Sequence, residues 1–282
     1  MSITLRVVSP EEADTTIPKM DAVMRRAYRA PSFRAQIGWC AAVQPDGLVV
    51  AEDAGEIVGA GCGIAYADSG FGWIGLIGTE PTHERRGIGA LVTERVAEVL
   101  SEHGCASALD ASAAGGPLYE RLGFTDHGAT RVVTLPQRAS ASSRVQPVGP
   151  DDVGVFAAYD AEVFGADRSA LLALLIDQYP GRAGVVRGAD GSVVGIVLAQ
   201  HTTVGPLAAD DADTLAELVA FAGALGWNDD ARICVPPESE HLDTLLAVGC
   251  IPARDLRHMR RGIPVLPGRT ASYAGRISLG IG

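Results

Sequence analysis

The stretch PTHERRGIGALV (81–92) holds the residues most able to do chemistry in this chain. A proline closes an apolar run, two arginines follow, and Gly-Ile-Gly opens a helical pattern. The first N–H groups of a helix have no backbone partner, and the helix dipole adds partial positive charge there. Gly87 and Gly89 remove side chains that would block a phosphate, so a row of N–H groups could surround one, with Arg85 and Arg86 adding charge. Glu84 is an acid where an anion cradle is expected to carry a base. A lone Gly-x-Gly is also what any turn feeding a helix would use. The apolar strand pattern directly before the loop favours the ligand-binding reading.

Those residues need elements to hold them. LVVAEDAGEIVGAGCGIAYA (48–67) predicts two strands around the turn Asp53-Ala54-Gly55-Glu56, and GWIGLIG (72–78) predicts a third. ALVTERVAEVLSEHG (90–104) predicts a helix with Leu91, Val92, Val96, Val99 and Leu100 on one face, stopped by Gly104. ASALD (106–110) reads as a short strand, and GPLYERLGF (116–124) as a short helix closed by Gly123. Strand, loop, helix, strand, helix implies a mixed α/β fold with a parallel pair in its sheet.

The second half repeats this order. VVRGADGSVVGIVLA (185–199) reads as a hairpin, followed by TTVGPL, an amphipathic helix, ARICV and HLDTLLAVGC. A shift of 126 residues sets Gly123 over Gly249, which reads as a tandem domain and not a short-period solenoid. PQRASASSRVQPVGP (136–150) lacks periodicity and reads as the connection between halves. The expected domains are 1–137 and 148–282, with a linker at 138–147.

Composition narrows the class. A 47% hydrophobic, 20% charged chain of 282 residues reads as a globular protein. The net charge of −11 argues against a general nucleic-acid binder and is compatible with a cationic or amine substrate. No apolar run is long enough to span a bilayer, and the first residues lack a signal-peptide pattern, so the expected location is the cytoplasm, with no membrane partner. Five scattered cysteines without a CxxC pair read as small buried hydrophobes. The six histidines show no metal or triad spacing, so no metal site is expected.

LDASAAGGPLYERLGF (109–124), lying thirty residues beyond the loop, carries the second signal. A strand–loop–helix unit of the form [QR]xxGx[GA], followed by PLYERLGF, resembles the GNAT superfamily of acetyl-CoA-dependent N-acetyltransferases over roughly residues 3 to 135. The whole chain resembles two-domain members whose second half is degenerate, through YDAEVFGADR (159–168), VGPLAADD (204–211) and AVGCIPARDLRHMRRG (247–262). The implied fold is α/β, with tandem GNAT-like domains, each a mixed sheet flanked by helices.

The resemblance implies further roles. Main-chain groups of Leu76, Ile77 and Thr79 would bind the pantetheine arm of coenzyme A. N–H groups of Arg85, Arg86, Gly87, Ile88, Gly89 and Ala90 would hold its pyrophosphate. Tyr119 would protonate the departing thiolate, the alternative being a core aromatic on an amphipathic helix. Asp110 and Ser112 end the strand near the expected sulfur; either could bond the cofactor or the amine, and Asp110 could instead serve the following helix. Glu84 departs from the Gln or Arg expected at that loop position. No general base is assigned.

The expected activity is acetyl transfer from acetyl-CoA, without metal, to an amine of a small molecule or peptide. A non-catalytic acyl-CoA sensor and a longer-chain acyltransferase are the rivals, and a homodimer is compatible with the sequence. At the 126-residue shift, Arg85–Gly89 fall on Asp211-Ala212-Asp213-Thr214-Leu215 and Tyr119 falls on Leu245, so the second copy should neither bind coenzyme A nor catalyse. Asp160, Phe164, Asp167 and Arg168 could line an acceptor cleft or could simply cap and pack.

Overall fold

The computed structural model describes residues 3–137 and 144–282. It divides into two compact units: Met1–Asp126 with Met259–Pro264 and Gly280–Gly282, and His127–His258 with Val265–Leu279.

Unit 1 begins with strand β1 (Thr4–Val7) and helices α1 (Ala13–Tyr28) and α2 (Arg34–Val43). Strands β2 (Leu48–Asp53) and β3 (Glu56–Tyr66) form a hairpin whose tip, Ala54 and Gly55, has φ of 51° and 86°. Two positive φ values in a two-residue loop match the right-handed twist of the strands it joins. β4 (Phe71–Thr79) pairs antiparallel with β3, then α3 (Ile88–Glu102) crosses to β5 (Ala106–Ala111) and α4 (Gly116–Arg121). The strand order is β1-β2-β3-β4-β5, all antiparallel except the parallel pair β4–β5.

Small residues let α3 sit low on this sheet. A Cβ on Gly61 would lie 2.7 Å from Val92 and 2.6 Å from Ile77, and one on Gly63 would lie 2.7 Å from Val96. Val92, Val96, Val99 and Leu100 are buried with Val49, Ile74 and Leu109. Each such side chain contributes about 1.5–3 kcal/mol on burial. Leu91, expected on the same face, is instead 42% exposed, because it lies one step around the helix from the buried stripe. The opposite face of β4 receives α1, where Met24 stands against Gly78.

Unit 2 contains β6 (Thr125–Thr134) from His127 onward, β7 (Gln146–Pro147), α5 (Val153–Phe164), α6 (Ser169–Gln178), β8 (Ala183–Arg187), β9 (Val193–Ala199) and β10 (Val204–Ala209). α7 (Ala212–Ala224), β11 (Arg232–Val235), α8 (Leu242–Ala247), β12 (Ile251–Arg261) and β13 (Tyr273–Gly275) complete it, the last three residues of β12 belonging to unit 1. One sheet runs β13-β10-β9-β8-β7, while β6 pairs with β11. Leu215, Leu218, Val219 and Ala222 of α7 are buried against Val197, Leu207 and Ile233. Of the segment 138–147 expected as a linker, 138–143 lie outside the described residues, and Gln146–Pro147 pair with β8.

Candidate active site

The site in unit 1 starts from an irregularity in β4. β3 and β4 stay in register to Cys62↔Gly75 and resume at Ala60↔Gly78, so Leu76 and Ile77 face a single residue, Gly61. Such a bulge re-aims the backbone. Leu76 takes φ = 53°, a conformation that costs a non-glycine residue roughly 1 kcal/mol. Beside it the sheet opens: β4 and β5 pair only over Phe71–Trp73 and Ala106–Ala108. The main chain of Leu76, Ile77 and Thr79 therefore lies on the part of β4 that has lost its parallel neighbour.

The loop after β4 leads into this opening. Arg85 (φ 61°) and Gly87 (φ 79°) are both left-handed, and Gly87 caps α3. Alternation with left-handed residues turns successive N–H groups to one side, which forms an anion-binding concavity. The first helical bond is Leu91 N–H to the Gly87 carbonyl at 3.1 Å, so the N–H groups of Ile88, Gly89 and Ala90 precede the ladder. A Cβ on Gly87 would meet open space, and one on Gly89 would find its nearest neighbours, Leu118 and Thr79, only at 3.6 Å. Packing does not require a glycine at 89, whereas a close-lying anion would. These residues fit a pyrophosphate.

The side chains of the loop behave differently from its backbone. Arg86 Nη1 pairs with Asp53 Oδ2 at 2.8 Å, and His83 Nε2 lies 3.6 Å from the same oxygen. The Arg86 charge is thus shared with a buried carboxylate. Arg85 and Glu84 are exposed.

α4, the helix that follows β5, carries Tyr119. Its ring stands edge-on to Phe124, 5.9 Å between centroids, and packs with Leu122 against the α3 core. Burial pushes the phenol up to about 12, so it is a protonated donor at neutral pH. Ser112 Oγ accepts from Gly115 N–H at 3.1 Å, and the Ser112 carbonyl accepts from Gly116 N–H at 2.9 Å. The hydroxyl thus organises the turn before α4, the local role considered for Asp110.

Tyr28, at the end of α1, belongs to this constellation although nothing in its sequence neighbourhood singled it out. Its hydroxyl donates to the Ile77 carbonyl at 2.7 Å. Desolvation raises its pKa, and Tyr119 is close enough to act in the same direction. One phenol thus bonds the bulge, and the second lies near enough to influence it. Only three-dimensional folding reveals the pair, because 91 positions separate them.

Unit 2 lacks the opening. β13 pairs antiparallel with β10, Leu207↔Gly275 and Ala208↔Tyr273, and Arg276 N–H donates to the Cys234 carbonyl of β11 at 2.9 Å. A strand of the chain itself occupies the slot between β10 and β11. The start of α7 is also taken: Asp211 accepts from Thr214 N–H at 2.7 Å. Arg168 holds Asp160 through two bonds (2.9 and 2.6 Å), reaches the Tyr273 hydroxyl of β13 at 3.1 Å and lies 3.6 Å over the Phe164 ring. Its side chain is fully buried, and Asp167 caps Ser169. The motif YDAEVFGADR is a clamp on β13.

The remaining candidates are structural. His103 bonds Asp46 at 2.7 Å, and His241 bonds the Ala209 carbonyl at 2.9 Å. All five cysteines are buried, and none is in a disulfide. Among the described residues no group of three or more His, Cys, Asp or Glu could hold a metal, and no helix is long and apolar enough to cross a membrane.

Comparison with known proteins agrees with this architecture. Residues 15–124 match the Acetyltransferase (GNAT) family, and residues 156–273 match an Acetyltransferase (GNAT) domain. The chain belongs to the GNAT acetyltransferases and carries two such domains. It is 29% identical over 185 residues to the uncharacterized N-acetyltransferase YitH of Bacillus subtilis, a match covering 62% of this chain and 64% of that one. A Pyrococcus horikoshii protein assigned as an acetyltransferase shares 25% identity at a TM-score of 0.83, over 99% of this chain and 96% of that one. A GCN5-related N-acetyltransferase of Sphaerobacter thermophilus shares the fold at 13% identity, with a TM-score of 0.64 and 94% and 96% coverage.

Proposed function

We propose that this protein transfers an acetyl group from acetyl-CoA to the amine of a small molecule or peptide, with unit 1 as the working domain and the second domain degenerate. One combination carries the reading: β4 is bulged where it has lost its parallel neighbour, the loop after it enters a glycine-capped helix, and α4 carries a half-buried, protonated Tyr119. In this reading the working domain is about residues 1–137, the degenerate one about 148–282, and the cytoplasm, where acetyl-CoA is made and used, is the site of action.

Acetyl-CoA, when bound, supplies an acyl group activated as a thioester. The N–H groups of Arg85 through Ala90 would hold its pyrophosphate, and the main chain of Leu76, Ile77 and Thr79 would align its pantetheine arm. A strand N–H at the bulge would be available to the carbonyl oxygen and would stabilise the charge that builds there. A neutral amine held in line forms the new C–N bond as the C–S bond breaks. The Tyr119 hydroxyl would donate its proton to the departing sulfur, and the proton lost by the amine would return through water to the tyrosinate.

Tyr119→Phe tests this assignment. Turnover of acetyl-CoA with an accepted amine should fall by roughly 10²-fold or more, while coenzyme A affinity by calorimetry stays within about twofold. An unaltered rate would remove Tyr119 from the chemistry.

A further inference from the structure

A segment far from β4 in sequence lies on it. Gly280–Gly282 belong to unit 1 and run over residues 73–76, the stretch that leads into the bulge. A Cβ on Gly75 would stand 2.6 Å from the Cα of Gly280 and closer still to its carbonyl. One on Gly280 would meet the Leu76 side chain at 3.1 Å and Gln36 Oε1 of α2 at 3.2 Å, and one on Gly282 would meet the Trp73 ring at 3.1 Å. The hydroxyl of buried Tyr66 donates to the Ile281 carbonyl at 3.1 Å. The strap is thus fitted at each residue: glycine against glycine, a hydrogen bond, then an aromatic plate.

Its face matters. Ile74 points into the core beneath α3, and side chains along a strand alternate, so Gly75 and the strap lie on the face that α1 and α2 cover. The α3 face is filled by Val92, Val96 and Leu109. An attacking amine must therefore come from the strap's own face. There Tyr28 bonds the Ile77 carbonyl at 2.7 Å, and its ring stands 5.3 Å from that of Phe33.

We infer that the strap Gly280–Gly282 is a selectivity element: it covers the ground along β4 that a polypeptide acceptor would need and admits small primary amines on a slender arm. This inference rests on the acetyl-transfer reading and narrows its acceptor to small molecules.

The test compares wild type, Tyr66→Phe and Gly280→Val on 1,4-diaminobutane, 2-phenylethylamine and a tetrapeptide with a free α-amine. Wild type should favour one of the small amines by at least tenfold in kcat/KM. Both variants, at unchanged coenzyme A affinity, should move the peptide-to-amine ratio at least tenfold toward the peptide. Wild-type preference for the peptide, use of neither class by a wild type that binds coenzyme A, or a ratio unmoved in both variants overturns the inference. Amide hydrogen exchange across Trp73–Leu76 needs no cofactor and should rise at least tenfold in both variants; unchanged exchange also overturns it. Absence of coenzyme A binding by wild type, with exchange rising as expected, would instead fault the acetyl-transfer reading alone.

Discussion

Tyr119 was legible as a candidate because PLYERLGF is a specific string; its protonation state was not, because that depends on burial by residues scattered along the chain. With the phenol held at about 12, above the unfolded value near 10, its proton-donating form persists through the alkaline range. The turnover–pH profile should therefore show no tyrosine-dependent decline up to about pH 10.5, where a free phenol would be largely ionised. The sign for stability agrees: the contribution from the neutral phenol is complete below pH 10 and is lost as pH climbs toward 12. Tyr28 marks the limit of sequence reading, since its hydroxyl meets Ile77 only through the packing of α1 on β4. Arg86 is a similar case. In sequence it is a free cation in an anion-binding loop, whereas in the fold it is neutralised by Asp53, so the backbone N–H groups carry more of the proposed cradle. Gly87→Glu puts a negative side chain into that cradle at φ 79°, and coenzyme A binding by calorimetry should be lost. Retained affinity would mean the loop does not hold the pyrophosphate.

Among the elements, the corresponding helices α3 and α7 of the two units start in opposite ways. α3 begins on a glycine with open space around it; α7 begins on Asp211, whose carboxylate bonds Thr214 N–H and hydroxyl at 2.7 and 3.1 Å. Those bonds, the backbone one first, hold the Asp211 carboxyl below its ordinary value. Asp211→Ala should cost about 1 kcal/mol of stability in denaturant melts at pH 7. A depressed carboxyl pKa stabilises above the unfolded value, about 3.9, and the benefit fades as pH falls through the folded one. The difference between variant and wild type should accordingly shrink below pH 4; a gap that persists there would assign the loss to something other than the charged cap. The elements themselves were legible from periodicity, turn glycines and the strand–helix alternation. Leu91 was misplaced because a short apolar cluster at a helix start fits more than one face. The glycines of GWIGLIG allow a bulge or a close backbone approach, but its place at Leu76 and Ile77 is set by pairing with β3 and not by residue type.

At the level of the whole chain, the tandem architecture was readable from the 126-residue repeat, and the loss of glycines already argued against a second anion cradle. What the sequence could not disclose was β13, since Tyr273–Gly275 has no strand periodicity of its own. Calorimetry should find one coenzyme A per chain, and a stoichiometry of two would refute the degeneracy of unit 2. The slot between β10 and β11 is occupied by a tethered competitor. An intramolecular strand acts at an effective concentration that short linkers can set in the millimolar range or above, and the Arg168–Tyr273 bond adds to its hold. A dissolved ligand present at lower concentration loses that competition unless its intrinsic affinity is far higher. Grafting Arg-Arg-Gly-Ile-Gly onto positions 211–215 would therefore not by itself return unit 2 to cofactor binding. If unit 2 is degenerate as proposed, β13 is a guest supplied by the domain's own chain, and it would have to leave before any other could enter.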